Sequence, residues 1–180
     1  FAPSSQPPVI NFNDVTAFGT STEVSLPCMF APVGRRNYDE VRIRGSESLL
    51  HVAARAGVAV HWRDNQSGCK GVCDGLSHDS VNPALAPGLC QGGRCLDEGL
   101  LRGLDERLRA LHNGRGTQLL VLHMLGNHGP SYYRRYPPAF ERFTPVCRND
   151  DLGQCTRDEI VNAYDNALLY TDHLLGQAIR

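Results

Sequence analysis

Four hydroxyl side chains near residue 20 are the first group in the sequence that could carry chemistry: Thr20, Ser21, Thr22 and Ser25. They come directly after a glycine, and the run could open a helix. Unpaired N–H groups and the positive end of the dipole at a helix start favour a phosphoryl group or a developing alkoxide. Such a hydroxyl could equally be an ordinary N-cap, and the spacing does not choose among the four. A threonine hydroxyl becomes a good nucleophile only when a base or a metal lowers its pKa.

Two further polar segments follow predicted strands. In residues 62–71 (WRDNQSGCKG), Lys70 could contact a phosphate as a point charge, or it could be an exposed loop lysine. In residues 126–130 (GNHGP), His128 lies between two glycines, where it could pack in the loop, bind a metal or transfer a proton. His51, His112 and His173 lie in helical patterns and are expected at the surface. His61 and His123 lie in predicted strands and are expected in the core.

The elements that must position these residues alternate between strand and helix. This pattern predicts an α/β fold, with a mostly parallel sheet sandwiched between helices and an active site beyond the carboxyl ends of its strands. Residues 64–95 are predicted to be a long loop stapled by cysteines. The predicted strands are Val9 to Phe18, Val58 to Trp62 and Thr117 to Met124, the last buried on both faces, and the predicted helices are Ser46 to Ala56, Leu96 to Leu111 and Thr156 to Arg180.

Six of the seven cysteines form close pairs in polar stretches. This arrangement favours disulfides in an oxidising compartment, with nearest neighbours as the preferred pairing among many connectivities. Zinc is the alternative, but the spacings lack the CxxC knuckle of tetrahedral zinc sites. The pairs are Cys69 and Cys73, Cys90 and Cys95, and Cys147 and Cys155, and Cys28 is left over.

The net charge of −1 comes from 18 basic and 19 acidic residues without a basic stripe, which argues against a nucleic-acid partner. The arginine pairs Arg35-Arg36 and Arg134-Arg135 are expected to be solvated surface. No apolar run is long enough for a membrane span, and no signal peptide is visible. Because the chain opens on Phe1 and stops inside a helical pattern, we expect residues 1–180 to be part of a single larger catalytic domain.

Five segments together resemble the phosphoethanolamine transferases that modify lipid A, a family that includes the mobile colistin-resistance enzymes. They are GTSTEVSLPCMF, WRDNQSGCKGVCD, GNHGPSYYRRY, FTPVC and NAYDNALLYTD, in the same order and over nearly the whole chain. The resemblance implies an alkaline-phosphatase/sulfatase-like fold, incomplete here, in the periplasmic domain of a bacterial inner-membrane protein. It also implies transfer of phosphoethanolamine from phosphatidylethanolamine to a lipid A phosphate, through a covalent threonine intermediate.

The same resemblance assigns roles to individual residues. Thr22 would be the nucleophile and a ligand of a Zn²⁺ ion that lowers the pKa of its hydroxyl. His128 would lie near the metal centre and contact substrate or a second zinc. The phosphoethanolamine group would contact Thr20, Gln66, Ser67 and Lys70. We expect a monomer, attached to the membrane through an N-terminal domain that this chain does not include.

Two departures from the family pattern matter. Phe18 stands where the family has a cysteine that pairs with the equivalent of Cys28, so Cys28 should be a free thiol. The missing staple costs about 2–3 kcal/mol by chain-entropy reasoning. The family's other zinc ligands, an acidic residue before the threonine and an Asp-His pair and a histidine after it, fall outside these residues. The 180-residue piece alone should therefore neither hold zinc tightly nor be active.

Two other functions remain open on the sequence. One is another hydrolase of the sulfatase/phosphatase superfamily, although the CxPSR or SxPSR core of sulfatases is absent. The other is a secreted binding module that is stapled by disulfides and has no catalytic activity.

Overall fold

A computed structural model describes residue 10, residues 12–112 and residues 116–179, without the side chains of residues 110–112. At its centre is a parallel three-stranded sheet, as the sequence predicted, and its strand order is β2-β1-β5. Two more strands form a separate antiparallel hairpin. The strands are β1 (Ala59–Asp64), β2 (Ser77–Ser80), β3 (Cys90–Gln91), β4 (Arg94–Cys95) and β5 (Gln118–His123).

Five α-helices accompany the strands in the described part of the chain, and none of them is long and apolar enough to span a membrane. They are α1 (Thr22–Met29), α2 (Glu40–Arg44), α3 (Leu49–Arg55), α4 (Leu104–His112) and α5 (Arg157–Ile179). Short 3-10 helices cover Arg35–Asn37, Asp97–Leu101, Tyr132–Arg134, Pro138–Phe140 and Leu152–Gln154.

One face of the central strand β1 packs into an apolar core. Val60 and Trp62 point to this side and lie with Leu26 of α1 and Leu50 of α3. Trp62 is only 1% exposed, so its ring is a fixed wall beneath the loops that follow the strands. Helices α1 and α3 therefore cover this face of the sheet.

The opposite face of β1 is charged but covered. Arg63 donates from Nε and Nη2 to the two carboxylate oxygens of Asp79 on β2, at 2.9 Å each. Its Nη1 also donates to the carbonyls of Leu100 and Arg102, which connects the sheet to the chain before α4. Because four hydrogen bonds hold the guanidinium, two of them to a carboxylate, its burial is tolerated. The two covered faces confirm the predicted layered arrangement.

Capping residues explain where the main helices begin. Ser48 caps α3, and His51 completes the capping box by accepting the Ser48 N–H at 3.1 Å. His51, which was expected at the surface of a helix, is half-buried, and its Nε2 also donates to the Asp74 carbonyl at 2.8 Å. Thr156 and Glu159 form the predicted capping box at the start of α5.

The disulfides are those of nearest neighbours: Cys69–Cys73, Cys90–Cys95 and Cys147–Cys155. Cys28 is a free thiol on α1 and is 2% exposed, as the departure at Phe18 predicted. The first two bridges lie within residues 64–95, where the chain has little regular structure. They fix the loops on two sides of the sheet edge at which β1 ends.

The strand predicted over residues 9–18 was wrong for the part that is described, residues 10 and 12–18, which have no regular structure. Phe12 and Val15 are 74% and 76% exposed. A β-rich composition forms a strand only when a neighbouring strand takes its hydrogen bonds and a core takes its side chains. The described part of the chain offers this segment neither.

Three other predicted elements needed correction. The helix over residues 96–111 is divided at Gly103, whose φ of +64° ends the 3-10 helix before α4 begins. The predicted loop over residues 64–95 contains β2 and the β3-β4 hairpin. Strand β5 is half-buried along its whole length and not buried on both faces, because it lies at an edge of the sheet described here.

Candidate active site

The hydroxyl run lies at the start of α1, and its four members differ in what they contact. Ser25 Oγ donates to the Gly19 carbonyl at 2.8 Å and accepts the Gly19 N–H at 3.2 Å, so it braces the turn. Ser21 is the N-cap residue, but its side chain makes no capping hydrogen bond. Thr20 is exposed, whereas Thr22 is half-buried. The N–H groups of Thr22 and Glu23 have no hydrogen-bond partner among the described residues.

Thr22 opens into a cavity of about 440 Å³, here called the threonine cavity. Its walls come from the hydroxyl run, from α1 and from the carboxyl end of β5. They include Thr20, Ser21, Thr22, Ser25, Phe30, Trp62 and His123. No arginine or lysine lines it among the described residues. The free N–H groups at the start of α1 can therefore stabilise an anion next to the Thr22 hydroxyl.

Gln66 is the side chain that contacts the Thr22 hydroxyl. Its Nε2 donates to Thr22 Oγ1 at 3.2 Å, across 44 positions of sequence. The amide is held in this orientation because its Oε1 accepts the N–H and the hydroxyl of Ser67. A primary amide that donates to an oxygen cannot remove a proton from it. Gln66 therefore orients Thr22 without activating it.

Lys70 lies near this contact but is paired elsewhere. Its Nζ is 3.3 Å from Oε2 of Glu23, the residue after Thr22, and Glu23 also binds Arg44 at 3.1 Å. The hydrogen bonds from Arg44 and then Lys70 lower the pKa of Glu23. Lys70 lines neither the threonine cavity nor the cavity that contains His128. Contact with a substrate at Thr22 would require the lysine to leave Glu23.

Asp64 and His123 meet where β1 and β5 end. They are register partners in the sheet, and His123 Nδ1 donates to Asp64 Oδ1 at 2.6 Å. Asp64 Oδ2 accepts the N–H groups of Gln66 and Gly68 at 2.9 and 3.0 Å. Burial would raise the pKa of Asp64, but the hydrogen bonds from His123, Gly68 and Gln66 outweigh it and lower the pKa to about 2. The carboxylate is thus ionised and fixed.

His123 was expected to be a core residue, and the structure corrects this. It is half-buried and lines the threonine cavity, with its ring 5.2 Å from that of Trp62. Because the Asp64 carboxylate accepts from Nδ1, the other ring nitrogen is left to act as an acceptor. The sequence places this residue at the carboxyl end of a predicted parallel strand, where active sites lie. It was assigned to the core because the residues around it are apolar.

His128 lies outside the threonine cavity. It is exposed, its Nδ1 donates to the Gly129 carbonyl at 2.8 Å, and it lines a second cavity of about 500 Å³. This arginine cavity also includes Gln66, Ser67, Arg94 and Arg135 in its walls. Gln66 therefore lies between the two cavities. The structure brings Thr20, Thr22 and Gln66 together, and it brings His128 to Ser67 on the other side of Gln66.

Arg135 was missed in the sequence. The pair Arg134-Arg135 was expected to be solvated, but Arg135 is 7% exposed and its Nε donates to the His128 carbonyl at 2.8 Å. Adjacent arginines at the start of an irregular segment carry no periodic signal of burial. Only the folded turn after β5 shows that one of them points inward.

The donor set for zinc is incomplete in the described part of the chain. No group of three His, Cys, Asp or Glu side chains lies close enough to hold a metal ion there. Thr22 Oγ1 contributes one oxygen, and zinc takes four ligands in nearly all protein sites. These residues alone do not fit a zinc site.

A parallel sheet has helices on its faces, and a half-buried threonine lies beyond the carboxyl ends of its strands. This arrangement is typical of α/β enzymes. The sequence matches the Sulfatase family over residues 4–180, and the chain belongs to that family.

Within the family, the chain is similar to phosphoethanolamine transferases. It is 43% identical to phosphoethanolamine transferase EptA of Salmonella typhimurium over 171 residues, which are 95% of this chain and 31% of that protein. It is 42% identical to phosphatidylethanolamine transferase Mcr-1 of Escherichia coli over 178 residues, 96% of this chain and 32% of that protein. The chain thus spans roughly a third of the length of these curated relatives.

Solved structures agree with this assignment. The integral membrane lipooligosaccharide phosphoethanolamine transferase A of Neisseria meningitidis superimposes with a TM-score of 0.88 at 43% identity, over 95% of this chain and 31% of that one. The soluble domain of the same transferase gives a TM-score of 0.84 and is covered to 48%. The fold is therefore sulfatase-like, and the chain corresponds to about half of that soluble domain.

Proposed function

We propose that this chain carries the nucleophile of a zinc-dependent phosphoethanolamine transferase. The donor is phosphatidylethanolamine and the acceptor is a phosphate of lipid A. The observation that carries the proposal is the placement of Thr22, half-buried at the start of α1 with free N–H groups beside it and a hydrogen bond from Gln66. The identity of more than 40% to enzymes named for this reaction supports it.

The first step is a displacement at the donor phosphorus. Thr22 Oγ1 forms a bond to phosphorus, and the bond from phosphorus to the diacylglycerol oxygen breaks. The threonine proton passes to the ring nitrogen of His123 that faces away from Asp64, and the diacylglycerol oxygen takes up a proton as it departs. The free N–H groups of Thr22 and Glu23 stabilise the charge that develops on the phosphoryl oxygens. The product is phosphoethanolamine on Thr22 and free diacylglycerol.

The second step transfers the group to the acceptor. An oxygen of the lipid A phosphate forms a bond to the same phosphorus, and the bond from phosphorus to Thr22 Oγ1 breaks. Thr22 recovers its proton, and the acceptor carries a new phosphoric anhydride. The nitrogen of His123 that faces away from Asp64 is the one described histidine nitrogen in the threonine cavity available to exchange this proton.

The full active site draws on residues outside this chain. A Zn²⁺ ion would be held by Thr22 and by ligands outside residues 1–180, and it would lower the pKa of the threonine hydroxyl when bound. His128 would serve substrate or a second zinc. We place the parent protein in the bacterial inner membrane as a monomer, with this domain facing the periplasm. The three disulfides support an oxidising compartment.

Intact mass spectrometry of the full-length protein, after incubation with phosphatidylethanolamine, tests the proposal. A phosphoethanolamine adduct should appear on Thr22 and should be absent in Thr22→Ala. The same substitution at Thr16, which is exposed, is the matched control and should leave the adduct unchanged. An adduct that water removes as fast as lipid A does would indicate a hydrolase. A folded protein without any adduct would favour a binding module and would contradict the proposal.

A further inference from the structure

The arginine cavity lies beside the proposed reaction centre, and its two arginines have no role in the chemistry described so far. It is enclosed by the turn after β5 on one side and by the β3-β4 hairpin on the other. Its volume of about 500 Å³ is in the range of small-molecule sites. Gln66 separates it from Thr22, and the Gln66 amide nitrogen is 3.2 Å from Thr22 Oγ1. A group bound here would therefore be a neighbour of a phosphoryl group on Thr22.

Arg135 is the buried cation of this cavity. It is 7% exposed, and its one described hydrogen bond runs from Nε to the His128 carbonyl. It forms no ion pair with any described carboxylate. A buried guanidinium normally has a carboxylate or several acceptors around it, because desolvating an unpaired charge is costly. The terminal nitrogens of Arg135 are left to bind an anion from the cavity.

Arg94 supplies a second cation on the facing wall. It lies on β4, is exposed, and is held next to the Cys90–Cys95 disulfide. Like Arg135, it forms no ion pair with a described carboxylate. Burial and then the nearby charge of Arg94 lower the pKa of Arg135. Two cations that raise each other's energy are stabilised by an anion that binds between them.

The acidic groups around the cavity are already engaged. Asp64 is the carboxylate in its walls, and it is occupied by His123 and by the N–H groups of its own loop. Asp97 lies behind the wall and accepts from Asn65 and from two backbone N–H groups. Asp150 is exposed and 3.7 Å from Arg134. The charges of Asp97 and Asp150 raise the pKa of Arg135 from a distance, but none of these carboxylates forms an ion pair with Arg94 or Arg135.

We propose that the arginine cavity is the subsite for the phosphate group of the acceptor, with Arg135 and Arg94 as its binding residues. This inference rests on the proposed function and adds to it the place where the second substrate is held. A phosphate monoester carries close to two negative charges and matches the planar fork of an arginine. Bound here, the acceptor phosphate is separated from Thr22 by the side chain of Gln66, whose Nε2 is 3.2 Å from Thr22 Oγ1.

The donor is the less suitable ligand for this cavity. Its phosphodiester has a single negative charge, and the ammonium group two carbons away would lie among like charges. The threonine cavity, which has no arginine or lysine in its described walls, does not repel that ammonium. The two cavities thus separate a zwitterionic donor from a dianionic acceptor.

The two half-reactions of the full-length protein separate these roles. The Thr22 adduct is formed with phosphatidylethanolamine in the absence of acceptor and quantified by mass spectrometry, and its decay is then followed after lipid A is added. The variants are Arg94→Gln, Arg135→Lys and the double variant. Arg109→Gln, which removes an exposed arginine of α4 outside the cavity, is the matched control.

We expect the adduct to form at nearly the normal rate in Arg94→Gln and to decay roughly 10-fold more slowly with lipid A, as expected when a charge-assisted hydrogen bond is lost. Arg109→Gln should behave as the unsubstituted protein in both steps. If Arg135→Lys fails to fold because the residue is buried, Arg94→Gln carries the test alone. Lipid A without phosphate groups should not remove the adduct from the unsubstituted protein.

The outcomes separate this inference from the proposed function. Normal adduct formation with normal decay in Arg94→Gln and in the double variant would overturn the acceptor subsite alone. An equal loss of adduct formation would assign the arginines to the donor and would also overturn it. The absence of any adduct in the folded, unsubstituted protein would overturn the proposed function and the subsite together.

Discussion

Asp64 and His123 are paired residues at the carboxyl ends of β1 and β5, and a 2.6 Å hydrogen bond joins their side chains. The same carboxylate accepts the N–H groups of Gln66 and Gly68. One buried side chain thus sets the histidine of the threonine cavity and the loop whose glutamine contacts Thr22. The geometry of the proposed nucleophile depends on a residue that does not touch it.

Substituting Asp64 by asparagine should impair the first half-reaction more than it impairs folding. Asparagine keeps the size but presents an NH₂ group to donors that now need an acceptor, so the loop and the ring of His123 lose their fixed positions. We expect adduct formation in the full-length protein to fall about 10-fold or more, a loss of roughly 1.4 kcal/mol in transition-state stabilisation. Asp172→Asn, an exposed position on α5, is the control. Equal rates in the two variants would contradict the positioning role of Asp64.

Asp64 should also contribute to stability in a definite pH range. Its pKa is lowered from 3.8 to about 2, so the folded state gains from ionised Asp64 above pH 4. This gain, about 2 kcal/mol, disappears as the pH falls through 2, because the folded state must then be protonated too. Acid unfolding of the chain can be followed by the fluorescence of Trp62, its single tryptophan. The free energy of unfolding of Asp64→Asn should change much less between pH 6 and pH 2 than that of the unsubstituted chain. An unchanged pH profile in this variant would contradict the proposed contribution of Asp64.

Gln66 should matter for the rate of adduct formation and not for its position. Leucine at this site keeps the bulk but removes the hydrogen bond to Thr22 Oγ1, so the hydroxyl is free to rotate. A neutral hydrogen bond of this kind contributes about 1 kcal/mol, so we expect a rate reduced several-fold with the adduct still on Thr22. Gln177→Leu on the exposed side of α5 is the matched control. An unchanged rate for Gln66→Leu would show that the contact has no role in the reaction.

Local signals in the sequence were sufficient for part of this structure. The capping box of α5 and the cysteine pairs are short-range features, and they were predicted because their chemistry depends on a few adjacent residues. The strand prediction for residues 9–18 was wrong because a strand forms only beside a neighbouring strand that takes its hydrogen bonds. The sequence also did not predict the contact between Gln66 and Thr22 or the burial of Arg135. Each of these features depends on how distant segments pack.

Cys28 should be chemically silent in the folded protein. It is 2% exposed, and burial raises the pKa of its thiol, so little thiolate is available to react. A thiol reagent should label no cysteine of the native chain within minutes and one cysteine after denaturation without reductant. Cys28→Ala should then show none. Labelling of two or more cysteines in the denatured chain would mean that one of the three disulfides is open.

Zinc content separates the proposed role of Thr22 from that of the rest of the metal site. The described residues offer no group of three His, Cys, Asp or Glu side chains, so the isolated 180-residue chain should retain far less than one zinc ion after dialysis. The full-length protein should retain zinc, and Thr22→Ala should weaken its binding by removing one ligand oxygen. Metal analysis of the three samples by mass spectrometry checks this, with Thr16→Ala in the full-length protein as the control. One tightly bound zinc ion per isolated chain would contradict the proposal that the other ligands lie outside residues 1–180.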